Sequence, residues 1–494
     1  MATVRDITTM CRAGHIQEAY DLAKSDLELN PNDVWTQREM GWSLYYLIRN
    51  DAENGQYDQL LAHIDELQSF DLLNLTNDVM IFENVIFWVG YFAKRHLMPT
   101  GIDTPTRLST LFSKLKEYTF TPSNGYSFLL EGFIKCDSWQ ELLEFIEWWN
   151  LDNLRSADYM PVVLNNGRTI ISLAERAYIA KSKALIRKND LGMIEEFLPE
   201  MDELMNNHPE MTFPGFFYGK LLLTLGTTPE DALRVIVPFA RKKATEFWVW
   251  QLLSNVFTND QEKQLACLLR AVHCRTKENF LGKVRIKLAD LYIRRNELAQ
   301  AKFQIDKVTQ CYLLQGWRLP YEIDYWIHQP WINSVVASDE SPIDYLSISD
   351  SILLDGTEES IAVVTYYDQN SKRATLVYGY EKQIKEKIRF KVGPGAVLKL
   401  NYITEADGRM RVLHAGKTPF PTNLDYAKVV QGTITKRDEW SYAFMHYDDQ
   451  KAFVSPQVVN KYHVTDGENL KCLIVNDYDR KKGKWSWVVI SINR

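Results

Sequence analysis

The chain has 494 residues, 46% hydrophobic and 24% charged, a balance that excludes wholesale disorder and at this length implies about two to four domains. Its six cysteines (Cys11, Cys136, Cys267, Cys274, Cys311, Cys472) form no C-x-x-C pair and its nine histidines no H-x-x-x-H pair, which excludes a disulfide framework and leaves no footing for a metal or other cofactor. No apolar run reaches the ~18 residues that span a bilayer, and residues 1–15 lack a signal-peptide core, so no membrane partner and a cytoplasmic location are expected.

The net charge of −7 is unevenly placed. Residues 351–494 hold 22 Lys and Arg against 17 Asp and Glu, whereas residues 1–350 hold 35 against 47. A polyanion is therefore expected to meet the C-terminal part. Cys267 and Cys274, seven apart, read as core packing on one helix face rather than as ligands.

Up to about residue 340, apolar residues recur at three and four, the period of amphipathic helices packed on one side. The most regular stretch is Ala13-Gly14-His15-Ile16-Gln17-Glu18-Ala19-Tyr20, then Leu22, Ala23 and Leu27, ended by Asn30-Pro31-Asn32-Asp33. Gly14 allows a tight turn, Ala19 and Ala23 permit close helix approach, and Pro31 stops the helix. Trp35, Met40, Gly41, Leu44 and Tyr45 follow on the next helix. Together these residues resemble a tetratricopeptide repeat. The pattern returns, weakened, in Met193–Asn206 with His208-Pro209-Glu210, and in Leu288, Ala289, Tyr292, Ala301, Ile305 and Val308. Leu265-Ala266 precede Leu298-Ala299 by 33 residues, near the period that two stacked helices require. Between about 50 and 180, helices such as Val79–Phe92 and Trp139–Trp149 lack the signature and read as degenerate repeats or plain hairpins. The resemblance implies a right-handed α-solenoid over 1–315 that docks a protein partner. Its aromatics either fill wedges between helices or anchor that partner.

Residues 316–350, punctuated by Gly316, Pro320, Pro330 and Pro342, read as a linker or extended packing segment. Strand signals then dominate. One set comprises Ile361–Thr365, Ala374–Tyr378, Lys385–Val392, Gly395–Leu400 and Arg409–His414. A second comprises Gly432–Thr435, Ser441–Met445, Lys451–Ser455, Gly467–Ile474 and Lys484–Ile492. Five short strands in about 65 residues are too few for a sandwich and close most naturally into a partly open barrel. The expected fold is thus multidomain, α then β: the helical array, followed by two tandem five-stranded barrels of the oligonucleotide-binding (OB) type at 351–420 and 426–494.

In the second set, Trp440-Ser441-Tyr442-Ala443-Phe444-Met445 and Lys451-Ala452-Phe453-Val454-Ser455 resemble the two strand motifs of cold-shock domains. That resemblance implies that Trp440, Tyr442, Phe444 and Phe453 stack on unpaired bases, RNA in preference to DNA. Ser455 stands where the family has histidine, and Ala443 where it has glycine. Alternation places Tyr442 and Phe444 on one face and Ala443 and Met445 on the other. A basic hairpin, including Lys481 and Lys482, follows. The first set lacks aromatics at the matching places. Instead Lys385, Lys387, Arg389 and Lys391 alternate with Ile384, Ile388 and Phe390, which read as one strand gives four cations spaced about 6.6 Å apart. Such a stripe either follows a phosphate backbone or guards a sheet edge against aggregation.

No phosphate-cradling loop, nucleophile elbow or metalloprotease helix is present, so no catalysis is expected. The functional expectation is a non-enzymatic adaptor that joins a protein partner to single-stranded RNA or DNA. The alternative is a pure protein-interaction scaffold with structural barrels. The pairing of modules resembles accessory components of bacterial defence or RNA-handling systems.

Overall fold

The computed structural model describes residues 2–98, 101–405, 407–421, 424–479 and 483–493. They fall into two compact units that divide at Ile343 and Asp344.

The first unit is helical. Its helices are α1 (Val4–Arg12), α2 (Ile16–Leu29), α3 (Val34–Asn54), α4 (Tyr57–Gln68), α5 (Val79–His96), α6 (Thr104–Leu115), α7 (Asn124–Phe133) and α8 (Leu142–Trp149). They continue as α9 (Leu173–Lys188), α10 (Leu191–Asn207), α11 (Pro214–Thr224), α12 (Pro229–Lys242), α13 (Phe247–Val256), α14 (Gln261–Val272), α15 (Gly282–Arg294), α16 (Leu298–Gln315) and α17 (Tyr321–Ile327). A two-stranded hairpin, β1 (Val162–Val163) and β2 (Thr169–Ile170), stands between α8 and α9. Side chains of Asp33, Ser123, Ser172, Thr228 and Asp260 accept the orphan N–H groups that open α3, α7, α9, α12 and α14.

Two layers build the unit. Odd-numbered helices α1, α3, α5, α7, α9, α11 and α13 touch in series, and each of the best-formed hairpins adds its second helix alongside. The stack therefore runs on through residues 50–180, where no repeat signature is visible. What holds it there is close backbone approach. A Cβ at Gly90 of α5 would lie 2.7 Å from Leu129 Cα, one at Gly132 of α7 2.5 Å from the Gly90 carbonyl oxygen, and one at Gly125 2.4 Å from that of Glu83. The glycines bring α5 and α7 nearer than any side chain permits. Beyond them a knot of Phe112, Phe133, Trp139, Phe145 and Trp149 is almost wholly buried, with Phe133 and Phe145 stacked at 4.7 Å. Cys267 is fully buried in α14, while Cys274 lies past the helix end and is half-buried.

Residues 316–343 are not extended throughout. Ile323 of α17 and Ile332 join a core with Ala289, Ile305 and Val308, and the Lys302 ammonium donates to the carbonyls of Ile332 (2.6 Å) and Val335 (3.0 Å). A seven-residue helix is too short for periodicity to reveal.

The second unit opens with α18 (Tyr345–Leu354) and then holds two β modules. Strands β3 (Glu358–Asp368), β4 (Arg373–Gly379), β5 (Lys382–Lys387), β6 (Val397–Thr404) and β7 (Met410–Lys417) form an antiparallel sheet ordered β5-β4-β3-β6-β7. Strands β8 (Ala427–Thr435), β9 (Ala443–Tyr447), β10 (Gln450–Val454), β11 (Asn469–Asp479) and β12 (Lys484–Asn493) form a closed barrel, with α19 (Pro456–Tyr462) between β10 and β11. The two modules differ in closure, and one strand boundary is corrected. Only the second module closes, through parallel pairing of Phe453 with Val488 and Val454 with Val489. The first is an open sheet curled over its own core of Val364, Leu376, Ile388, Leu398 and Leu400. Its third strand also ends early, at Lys387 rather than Val392. Lys387 pairs with Arg373, the first residue of β4, and beyond it the Ile388 N–H donates to the Lys372 carbonyl at 2.9 Å, in the turn that precedes β4.

The two modules share a core. Val363 and Val377 of the sheet pack with Tyr426, Leu473, Val475 and Ile490 of the barrel, and the Tyr426 hydroxyl donates to the Ile361 carbonyl at 2.6 Å.

Candidate nucleic-acid interface

The barrel's second hairpin sets the geometry of the site. A two-residue turn at Asp448-Asp449, with Asp448 at φ 46°, joins β9 to β10 and fixes their register. Tyr447 pairs with Gln450 and its hydroxyl donates to Gln450 Oε1 at 2.9 Å. Burial, and then Asp448, push that phenol up to about 12. The register places Phe444 directly opposite Phe453 and Ala452 opposite Met445. Because side chains alternate, Ala443, Met445, Ala452 and Val454 are buried inside while Phe444 and Phe453 turn outward, half-buried.

Tyr442 precedes β9 and joins the outer pair. Its ring lies 5.7 Å from both Phe444 and Phe453, which are themselves 5.9 Å apart. Trp440 stacks on Tyr442 at 5.1 Å with planes 12° apart. All four aromatics proposed from sequence are thus gathered into one cluster, although Trp440 and Tyr442 sit in the turn before the strand. Trp440 is also engaged by the Arg437 guanidinium, 4.8 Å from its ring.

Several neighbours are visible only in the structure. Lys451 holds its ammonium 5.4 Å from the Phe444 ring and pairs across the hairpin with exposed His446. On the other side Thr435 pairs with Phe444 and Thr433 with His446, so hydroxyls flank the aromatics. Gly432 lets β8 pass close, since a Cβ there would lie 2.3 Å from the His446 carbonyl oxygen. Arg437 carries no distinguishing signal in the sequence, where any strand-flanking cation reads as solvated. Ser455 caps α19, accepting from the Val458 N–H, which accounts for a serine at that place.

In the open sheet, Lys385 and Lys387 are exposed on β5, with Thr375 and Arg373 opposite them. Arg389 and Lys391 are exposed too, but they lie beyond the strand, where Ile388 and Val392 still turn inward. The regular strand spacing therefore applies to the first two cations only, and Arg373 widens the patch sideways. None of these lysines and arginines forms a side-chain ion pair among the described residues. Lys481 and Lys482 lie outside the described residues.

Among the described residues no group of His, Cys, Asp or Glu is arranged to hold a metal ion, and no helix is long and apolar enough to cross a membrane. No curated protein matches the chain significantly. Residues 212–350 match a domain of unknown function, DUF7017. Residues 428–492, the closed barrel with its aromatic cluster, match the S1/CSD-like domain 2 of the TOTE conflict systems, which supports the cold-shock-like, OB character of this barrel.

Proposed function

We propose that the chain is a non-enzymatic adaptor that binds single-stranded nucleic acid, RNA in preference to DNA, through its C-terminal β modules. Its helical hairpins, read as a right-handed tetratricopeptide-like solenoid, dock a protein partner. The open sheet is read as a second OB-type module whose third and fifth strands have not joined. The likeness to a domain of conflict systems supports an accessory role in defence. The observation that carries the reading is the outward Phe444–Phe453 pair, flanked by Tyr442 and Lys451 on the outer face of the barrel. Every base presents a π-face, so such a platform holds unpaired strands with little sequence choice.

The test titrates the full chain with a fluorescein-labelled eight-nucleotide RNA and its DNA counterpart at several salt concentrations. Binding is expected to fall with salt, and Phe444→Ala or Phe453→Ala to weaken it about 5- to 150-fold, the equivalent of about 1–3 kcal/mol per stacked base. Absence of binding at low salt, or indifference to both substitutions in a folded chain, defeats the reading. The alternative, a protein-interaction scaffold with structural β modules, draws its support from Trp440, whose ring already packs against Tyr442 and Arg437.

A further inference from the structure

The helical unit is acidic as a whole, with 35 basic against 45 acidic residues in 1–343. Its odd-numbered helices nevertheless gather cations in a row. On α15, Lys283 and Lys287 stand one turn apart and exposed, and the Lys287 ammonium donates to Asn255 Oδ1 of α13 at 2.6 Å. On α11, the Lys220 ammonium lies 4.7 Å from the Phe216 ring. On α9, Arg176 and Lys183 stand two turns apart, and on α5 Lys94 shares Glu131 of α7 with Arg176, at 2.9 and 3.1 Å. Lys183 reaches Asp137 at 2.6 Å. Among the described residues, Glu131 and Asp137 are the carboxylates that form ion pairs with the row.

The surplus is unbalanced where it is most crowded. Burial lowers the Lys220 ammonium pKa, and Lys183, Lys283 and Lys287 lower it further. Burial likewise lowers that of Lys287. Gathering like charges costs free energy that a bound anion would return.

We propose that the lysine row on α9, α11 and α15, continued by Arg176 and Lys94, binds the phosphodiester backbone of a nucleic acid. This site is additional to the aromatic barrel. Helix axes pack about 8–10 Å apart, so the row from Lys94 on α5 to the Lys287–Asn255 pair at α13 extends roughly 30–40 Å. That is on the order of a dozen nucleotides at about 3.4 Å each, a length an extended polyanion fills and a single acidic side chain does not. Lysine ammoniums beside an amide suit phosphate oxygens without reading bases.

The test uses the full chain with Phe444→Ala and Phe453→Ala, which silences the barrel, and 30-nucleotide oligo(U) and oligo(dT) probes. Salt-dependent binding is expected to persist, and Lys220→Glu with Lys287→Glu to remove it. In the otherwise unaltered chain, the same pair reduces the slope of log affinity against log salt by about 1.4, for two lost contacts to a single strand. Lys220→Gln with Lys287→Gln serves as the control for folding. It weakens binding in the same direction while the melting temperature holds or rises. Three results overturn the proposal: no residual binding by the barrel-silenced chain at 50 mM salt, residual binding indifferent to the lysine changes, or equal displacement by polyglutamate, which assigns the row to an acidic protein. Loss of the short-oligonucleotide effect alone strikes the barrel reading and leaves the row intact.

Discussion

Glu39 shows what a single residue adds and costs. It sits on α3 with only 4% of its surface exposed, and its Oε2 has no hydrogen-bond partner among the described residues. Burial raises its pKa, and Asp26 and Asp33 raise it further. A raised carboxyl pKa contributes stability that is fully present below the unfolded value of about 4.5 and is lost as pH rises through the folded value. Glu39→Gln is therefore expected to raise the melting temperature at pH 7 and to flatten the decline above pH 4.5. An unchanged or lower melting temperature refutes this account. Nothing in the sequence distinguished Glu39 from the solvated acids around it, because the carboxylate's surroundings come from α1, α2 and the cap of α3.

Helices α5 and α7 show how an element pair can be specified without a repeat motif. Gly90 and Gly132 read in the sequence as weak points in helical runs. In the structure they are the contact surface, and the backbone of each helix fills the space a side chain would need. Gly90→Ala is expected to destabilise the helical unit by about 1–3 kcal/mol through overpacking, read as a fall in denaturant midpoint. A neutral result shows that the two helices can move apart. Strand β5 keeps the alternation of faces that its sequence predicts but ends at Lys387. Lys387→Glu with Arg389→Glu should flatten the salt slope by about 0.7 for each phosphate contact that is lost. An unchanged slope assigns those cations to guarding the sheet's edge strand.

For the molecule as a whole, the β unit is two modules around a common core rather than two beads on a string. Val363, Val377, Leu473, Val475 and Ile490 are all buried between them. Leu473→Ala removes side-chain volume from that core and should cost about 2–5 kcal/mol. Hydrogen exchange of the full chain is then expected to speed up in β3 and β4 as well as in β11 and β12. Acceleration confined to the barrel strands indicates that the modules open independently.

Local pattern determined the helices, the change to strands near residue 350, the two five-stranded plans and the alternation that turns Phe444 outward. Each of these follows from residues a few positions apart, and periods of 3.6 and 2 are legible in any single chain. Tertiary structure alone decided that one module closes and the other stays open, because closure is a pairing of Phe453 with Val488. It decided that β5 ends opposite Arg373, where β4 begins. It also brought Lys220 to Lys183, Lys283 and Lys287, three helices whose lysines carry no mark in the sequence. Contacts between distant residues depend on how whole elements stack, and no local pattern encodes that. The aromatic face is written in the order of residues, and the lysine row only in the fold.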